Sequence, residues 1–310
     1  MRPTPSNRGF TLIEMIISLT LLGILATAAI PMLRIPMTAY MESSSRARLA
    51  SALDVVNSKL TLDFSAALPN SVRITQVDTR YLIEYLEVRA QGRYRARASG
   101  NPTQTCPATP SCGGSPDALE FGAAPGCTES CFVTLGPLVG SAVVPGSDSV
   151  VVNPTRTDGQ TGDPYVSDGP GVSAIRSTLL TDTLISTANF DNGRKLTLSP
   201  QAFPLPPIVP IIKRFYVVST PVTYECDPAT GRLTKYWNYG IAATQPTAFA
   251  GVQSAPLATN LTACTMALES AGISGRGGLL TLQISLSETI PGETVPVQAD
   301  LLFSAALNDG

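Results

Sequence analysis

The chain has 310 residues, 14% of them charged, with a net charge of -2 and no histidine. That length holds one large domain or two modest ones. The near-zero charge leaves no electrostatic footprint for nucleic acid, and the missing histidine removes the commonest general base and metal ligand.

Residues 1–9, MRPTPSNRG, are polar and carry Arg2 and Arg8 without an acid. The run FTLIEMIISLTLLGILATAAIPML, residues 10–33, follows with Glu14 as its single charge. As a helix it would measure about 36 Å, enough to cross a bilayer core. Positive charge ahead of it predicts a cytoplasmic amino terminus. An ordinary signal peptide puts its small-residue cleavage site after the apolar core; that reading leaves Glu14 unexplained. Gly23 and Pro31 weaken the helix. The stretch between them reads either as a plain kink or as a segment that loosens on packing.

Residues 34–68 continue helically, with a restart after Pro36, and Leu49, Leu53, Val56 and Leu60 form one apolar stripe. Such a stripe is core contact, and Arg46 and Arg48 on the other side read as solvated. Pro69 ends the helix and Asn70 starts a turn. From 69 to 310 the pattern is β-rich. VRITQV (72–77) alternates, and YLIEYLEVRAQGRYRARA (81–98) reads as two strands around Gln91-Gly92. Residues 99–205 read as an irregular insertion, with brief strands at 118–121, 132–135 and 149–152. Residues 211–227 and 232–241 form a hairpin about PATG, and 278–287 and 293–307 another about Pro291-Gly292. The fold class is α+β, a long amino-terminal helix with an antiparallel sheet domain.

The six cysteines, Cys106, Cys112, Cys127, Cys131, Cys226 and Cys264, all lie beyond residue 100. In an oxidising compartment they are disulfides. A zinc site lacks a second tight pair and a histidine. For the first four, the local pairing Cys106–Cys112 and Cys127–Cys131 is one of three connectivities, and spacing alone does not choose. Asp158, Asp163 and Asp168 recur at intervals of five, an oxygen-rich pattern that calcium favours, but the strict loop spacing and its terminal Glu are missing. Asp beside Gly or Pro is also ordinary turn chemistry, so no metal or other cofactor is expected. SGRGG (274–278) lacks the Lys-Ser/Thr of a phosphate loop. Trp237 with Tyr236 and Tyr239 reads as strand packing rather than a binding patch. No G-x-S-x-G and no paired catalytic carboxylates occur in context, so an enzyme is not expected.

RGFTLIEM, residues 8–15, resembles the class III signal of type IV prepilins and type II secretion pseudopilins. The resemblance implies cleavage between Gly9 and Phe10 by a membrane prepilin peptidase, which then N-methylates Phe10. It implies that Glu14 meets the Phe10 amine of a neighbouring subunit during assembly. Residues 1–9 are then a leader, and 10–33 a transmembrane and assembly helix. Gly23 and Pro31 fall where many pilins loosen that helix. The implied location is the bacterial inner membrane, single-pass, with the carboxy-terminal domain in the periplasm and incorporated into a pilus or pseudopilus. The implied partners are membrane lipid, major and minor pilins or pseudopilins, the peptidase and methyltransferase, and an inner-membrane assembly platform. ALPNSVRI (67–74), FYVVSTPVTYECD and GRLTKYWNYGI further resemble MshO-type minor pilins of mannose-sensitive haemagglutinin (MSHA) pili, and more weakly PilW-like pilins and J-type pseudopilins. That resemblance implies a Cys226–Cys264 pair and a minor subunit that primes or caps a filament, with a J-like type II secretion pseudopilin as the alternative. Glu14 argues against the K-type tip pseudopilin, which usually lacks that acid.

Overall fold

The computed structural model describes residues 10–95, 106–107, 117–122, 127–185, 192–206, 213–270, 278–291 and 294–307. Helix α1 (Leu12–Ser65) is one unbroken helix of 54 residues. It runs through positions 23, 31 and 36, so the expected restart after Pro36 does not occur; the Pro31 side chain lies outside the described residues. The helix stops three residues before the expected 68. Ser65 Oγ donates to the Leu62 carbonyl at 2.6 Å, and the Ala66 and Ala67 N–H groups reach back only three residues, to Asp63 and Phe64. Tightened bonds of this kind close a last turn. Ala67 then bridges Glu87 as extended chain, ahead of Pro69 and of Asn70 at φ 55°.

The molecule divides into two compact units, Met1–Ser51 with Ser287–Ala299, and Ala52–Leu286 with Asp300–Gly310. The first holds the amino-terminal part of α1. There Arg46 and Arg48 are exposed as expected; Glu42 accepts from Arg46 at 2.6 Å, one turn on, and Arg48 pairs with Glu288 at 2.9 Å.

The second unit carries the sheets. Its strands begin with β1 (Arg73–Val77), β2 (Arg80–Arg93), β3 (Glu129–Val133), β4 (Val139–Gly140), β5 (Ser149–Val151), β6 (Arg176–Leu184) and β7 (Arg194–Gln201). They continue with β8 (Arg214–Asp227), β9 (Arg232–Trp237), β10 (Gln253–Thr259), β11 (Leu261–Ser270), β12 (Gly278–Glu288) and β13 (Val297–Leu307). The larger sheet runs β1-β2-β8-β5-β6-β7-β3, with β9 on β8, β10 on β9 and β4 on β2; the smaller is β11-β12-β13. The described pairings are antiparallel.

Two expectations are corrected here. Gln91-Gly92 is not a turn, because β2 continues through it to Arg93. A Cβ at Gly92 would sit 2.7 Å from the Phe215 ring and 2.9 Å from Leu138, so this glycine serves a close approach inside a strand. Residues 99–205 are not an irregular insertion throughout, since they supply β3 to β7. Those strands form a ring with β8 and β2. The ring closes where Tyr94 bridges Thr134 and the Leu135 N–H donates to the Arg93 carbonyl at 2.7 Å. Inside lies an apolar cluster that includes Phe132, Val150, Leu179, Leu196, Phe215 and Val217. At this closure the chain just after β3 is paired rather than left as an open edge.

The apolar stripe of α1 is buried as the spacing requires: Leu53 is 6% exposed, and Val56 and Leu60 are 0%. Phe64 extends it, with ring centroids 5.2 Å from Tyr85, 6.2 Å from Tyr224 and 5.9 Å from Phe303.

Candidate functional site

The amino-terminal turn is built by local chemistry. Thr11 precedes the helix; its carbonyl accepts the first helical bond, from the Met15 N–H at 3.2 Å, and its Oγ1 lies 3.4 Å from the Glu14 N–H. Thr11-x-x-Glu14 has the spacing of a capping box, a signal that sequence reasoning passed over. Glu14 thus falls in the first turn, where the helix dipole favours a negative charge. Glu14 is exposed and makes no ion pair among the described residues. Gly9 lies outside the described residues, and Phe10 is 83% exposed. Every large apolar side chain from Phe10 to Leu25 is exposed. A continuous apolar surface of that kind marks an interaction with lipid or with other chains. At Gly23 a Cβ would meet nothing within 4 Å.

Among the described residues no helix is long and apolar enough to cross a membrane. The side chains at 28, 30, 31 and 33 are not among those described.

In the second unit the structure joins Cys106 to Cys131, which excludes the local pairing of Cys106 with Cys112 and of Cys127 with Cys131. The fold explains the change: β3 carries Cys131 past residue 106, and both half-cystines are buried beside Val133 and Ile185. Cys127 is also disulfide-bonded, and Cys112 lies outside the described residues. Cys226 of β8 is joined to Cys264 of β11, a covalent tie between the two sheets.

The aspartates of the 157–169 loop serve the backbone. Asp163, 1% exposed, accepts from the Gly159 and Tyr165 N–H groups; Asp168 accepts from the Ala174 N–H and from Gln201. Among the described residues no cluster of three or more His, Cys, Asp or Glu is placed to hold a metal. Trp237 is half-buried on β9, and Tyr236 stacks on Phe249 with centroids 4.3 Å apart while Tyr239 meets the same ring edge-on.

Two polar clusters were not legible as such. Asp63, near the end of α1, accepts from the Tyr224 hydroxyl and from Lys235, with Lys59 at 3.0 Å. Burial works to raise its pKa, but these donors prevail and hold it below the ordinary value. Glu84 is fully buried in the sheet. Its Oε1 accepts from Arg73 Nη2 at 2.6 Å and Nε at 3.1 Å, and its Oε2 from the Tyr239 hydroxyl at 3.2 Å and Thr223 at 3.4 Å. Arg73 also donates to the Ala242 and Ala243 carbonyls and lies 3.6 Å from the centre of the Tyr165 ring. Burial outweighs Arg73 and pushes Glu84 above the usual carboxylate range. Both clusters fasten elements to one another.

Residues 4–30 match the family described as the prokaryotic N-terminal methylation motif. That motif supports a type IV pilin-like or pseudopilin-like protein. It spans the Gly9-Phe10 junction, Glu14 and Gly23. No curated protein and no solved structure matches the chain.

Proposed function

We propose that this chain is a minor pilin-like structural subunit of an MSHA-like type IV pilus machine, cut between Gly9 and Phe10 and acting to prime or cap filament assembly. The observation that carries the reading is the methylation motif at 4–30, followed by a helix whose apolar side chains from Phe10 to Leu25 are all exposed. Such a segment requires lipid before assembly and neighbouring helices after it. A lone carboxylate in lipid costs on the order of 3 kcal/mol. The new amine of Phe10 on an adjacent subunit would offset that cost only in the right register, so Glu14 selects correctly placed neighbours. The large sheet domain, with its ring of strands from the 129–218 region, suits a terminal position better than a repeated one.

The test is the mass of the amino-terminal peptide of protein taken from its native membranes. The expected peptide starts at N-methyl-Phe10. A peptide starting at Met1, or beyond residue 29, overturns the proposal. Deleting the gene and scoring piliation against protein secretion then separates the pilus reading from a J-like pseudopilin, which shares the same motif.

A further inference from the structure

Among the described residues, several strand edges of this fold are covered or interrupted, and that of β13 is not. The edge of β1 is covered by the 242–245 loop, which Arg73 holds by two carbonyls and Gln245 by the Thr75 hydroxyl. β10 carries Pro256 and a break in register. β3 is closed into the ring, and β11 is tied to β8 through Cys264. β13 pairs with β12 alone, and among the described residues no backbone hydrogen bond reaches Leu301 to Ala306 from outside its sheet. LLFSAA has no charge, no proline and no described bulge, so none of the usual devices that blunt an edge is present.

A groove of about 680 Å³ lies beside it, lined by four consecutive residues, Phe303 to Ala306. Successive side chains of a strand point to opposite faces, so four in a row mark a groove along the strand's edge. Its other lining includes the 64–69 segment and the 88–91 part of β2, and Phe64 and Phe303, ring centroids 5.9 Å apart, both line it. The groove also carries charge. Arg89 is neutralised by Asp148 at 3.1 Å. Arg214 is exposed, contacts the Tyr216 hydroxyl, and faces Arg93 directly across the β2–β8 pair. Like charges placed directly opposite destabilise a sheet, and no carboxylate meets either among the described residues.

The geometry points to a strand-addition site: an extended segment of another polypeptide, carrying an acidic side chain, lies in this groove, pairs with the bare edge of β13 and sets its carboxylate against Arg214. Main-chain bonds to the edge supply affinity, and the arginine supplies charge selectivity. The site does not depend on which filament the chain enters.

The test uses the purified full chain in detergent and two peptides, acetyl-Thr-Val-Glu-Val-Thr-Val-amide and its Glu-to-Lys counterpart, with hydrogen exchange read at residues 301–306. The Glu peptide is expected to slow the outward-facing amides of that stretch by about tenfold or more, and the Lys peptide to leave them unchanged. Arg214→Glu should exchange the two preferences, while Arg214→Gln, which removes the charge, should treat the peptides alike. No slowing with either peptide, or slowing indifferent to peptide charge in the unsubstituted protein, overturns the proposal. Slowing that grows with protein concentration in the absence of peptide makes a second copy the occupant and overturns the assignment to a foreign strand.

Discussion

Replacing Arg73 by methionine removes the cation that binds the fully buried carboxylate of Glu84, and the structure sets how much that costs. Four partners change. The Ala242 and Ala243 carbonyls lie on exposed residues, so water replaces the guanidinium there at little expense. Loss of the cation over the Tyr165 ring costs about 1 kcal/mol. Glu84 has no such recourse, because it is 0% exposed and its Oε1 loses both donors. An ionised carboxylate left alone in that site would cost roughly 3–5 kcal/mol. Taking up a proton relieves it, at a cost set by the distance of the pH from the ordinary value of 4.5. At pH 7 that is about 3.4 kcal/mol, and at pH 5 about 0.7. Arg73→Met should therefore destabilise by about 4 kcal/mol at pH 7 and about 2 at pH 5. The sign follows from linkage: Glu84 is already raised by burial, and losing the lowering effect of Arg73 raises it further, so the variant's deficit is smallest below 4.5 and grows as pH rises. Urea unfolding of Arg73→Met and of Arg73→Met/Glu84→Gln at both pH values tests it. The double variant should be the more stable at pH 7 and nearly insensitive to pH. A single variant whose loss is equal at both pH values, or a double variant worse than the single, would refute the reasoning.

Four further outcomes are expected. Tyr94 is 1% exposed and its hydroxyl has no hydrogen-bond partner among the described residues, so Tyr94→Phe should leave thermal stability unchanged or raise it by about 1–2 kcal/mol; a loss above about 1 kcal/mol would refute this. Replacing Cys226 and Cys264 by serine opens a loop with a sequence separation of 38 and should cost about 4 kcal/mol in denaturant unfolding. Glu129 is 3% exposed and its carboxylate takes three backbone N–H groups, yet burial raises its pKa, so its contribution is complete below 4.5 and fades as pH rises through the folded value. Melting temperatures of Glu129→Gln should accordingly fall less between pH 4.5 and 7 than those of the unsubstituted chain. Glu14→Ala should leave the amino-terminal peptide mass consistent with cleavage after Gly9 while reducing recovery in sheared filaments by tenfold or more; the roughly 3 kcal/mol cost of a buried charge sets that scale.

How far the sequence could be read depended on the range of the interactions involved. The processing motif, the apolar stripe of α1 and the hairpin at PATG are local patterns, and their strands and helix lie where spacing puts them. The ring escaped because its closure joins Arg93 and Tyr94 to Thr134 and Leu135 across a polar, glycine-rich stretch. Its strands are short or rich in serine and threonine: β5 has three residues, and β6 reads RSTLLTDTL. Periodicity carries little signal at that length. Gly92 misled for a related reason. A glycine beside glutamine reads as a turn, whereas here Phe215, far along the chain, requires the missing Cβ. The local pairing of Cys127 with Cys131 failed likewise, since the partner of Cys131 is set by where β3 runs, whereas the Cys226–Cys264 pair is found as the resemblance implied.

The same distinction accounts for the acids. Sequence spacing offered Asp158, Asp163 and Asp168 as a metal loop, and the fold gives buried carboxylates a different task. Asp117 accepts from the Cys106 N–H, Glu129 from the Cys131 N–H, and Asp148 from the Val144 N–H. Each holds the backbone of a segment between short strands, where few ladder bonds are available to satisfy it. Two of them flank the half-cystines of one disulfide, so the covalent link and the carboxylates stabilise the same region by different means. These acids are spent on the backbone, while exposed charge remains on the ring at Glu87 of β2 and where Arg93 stands opposite Arg214; Arg214 of that pair lines the groove beside β13.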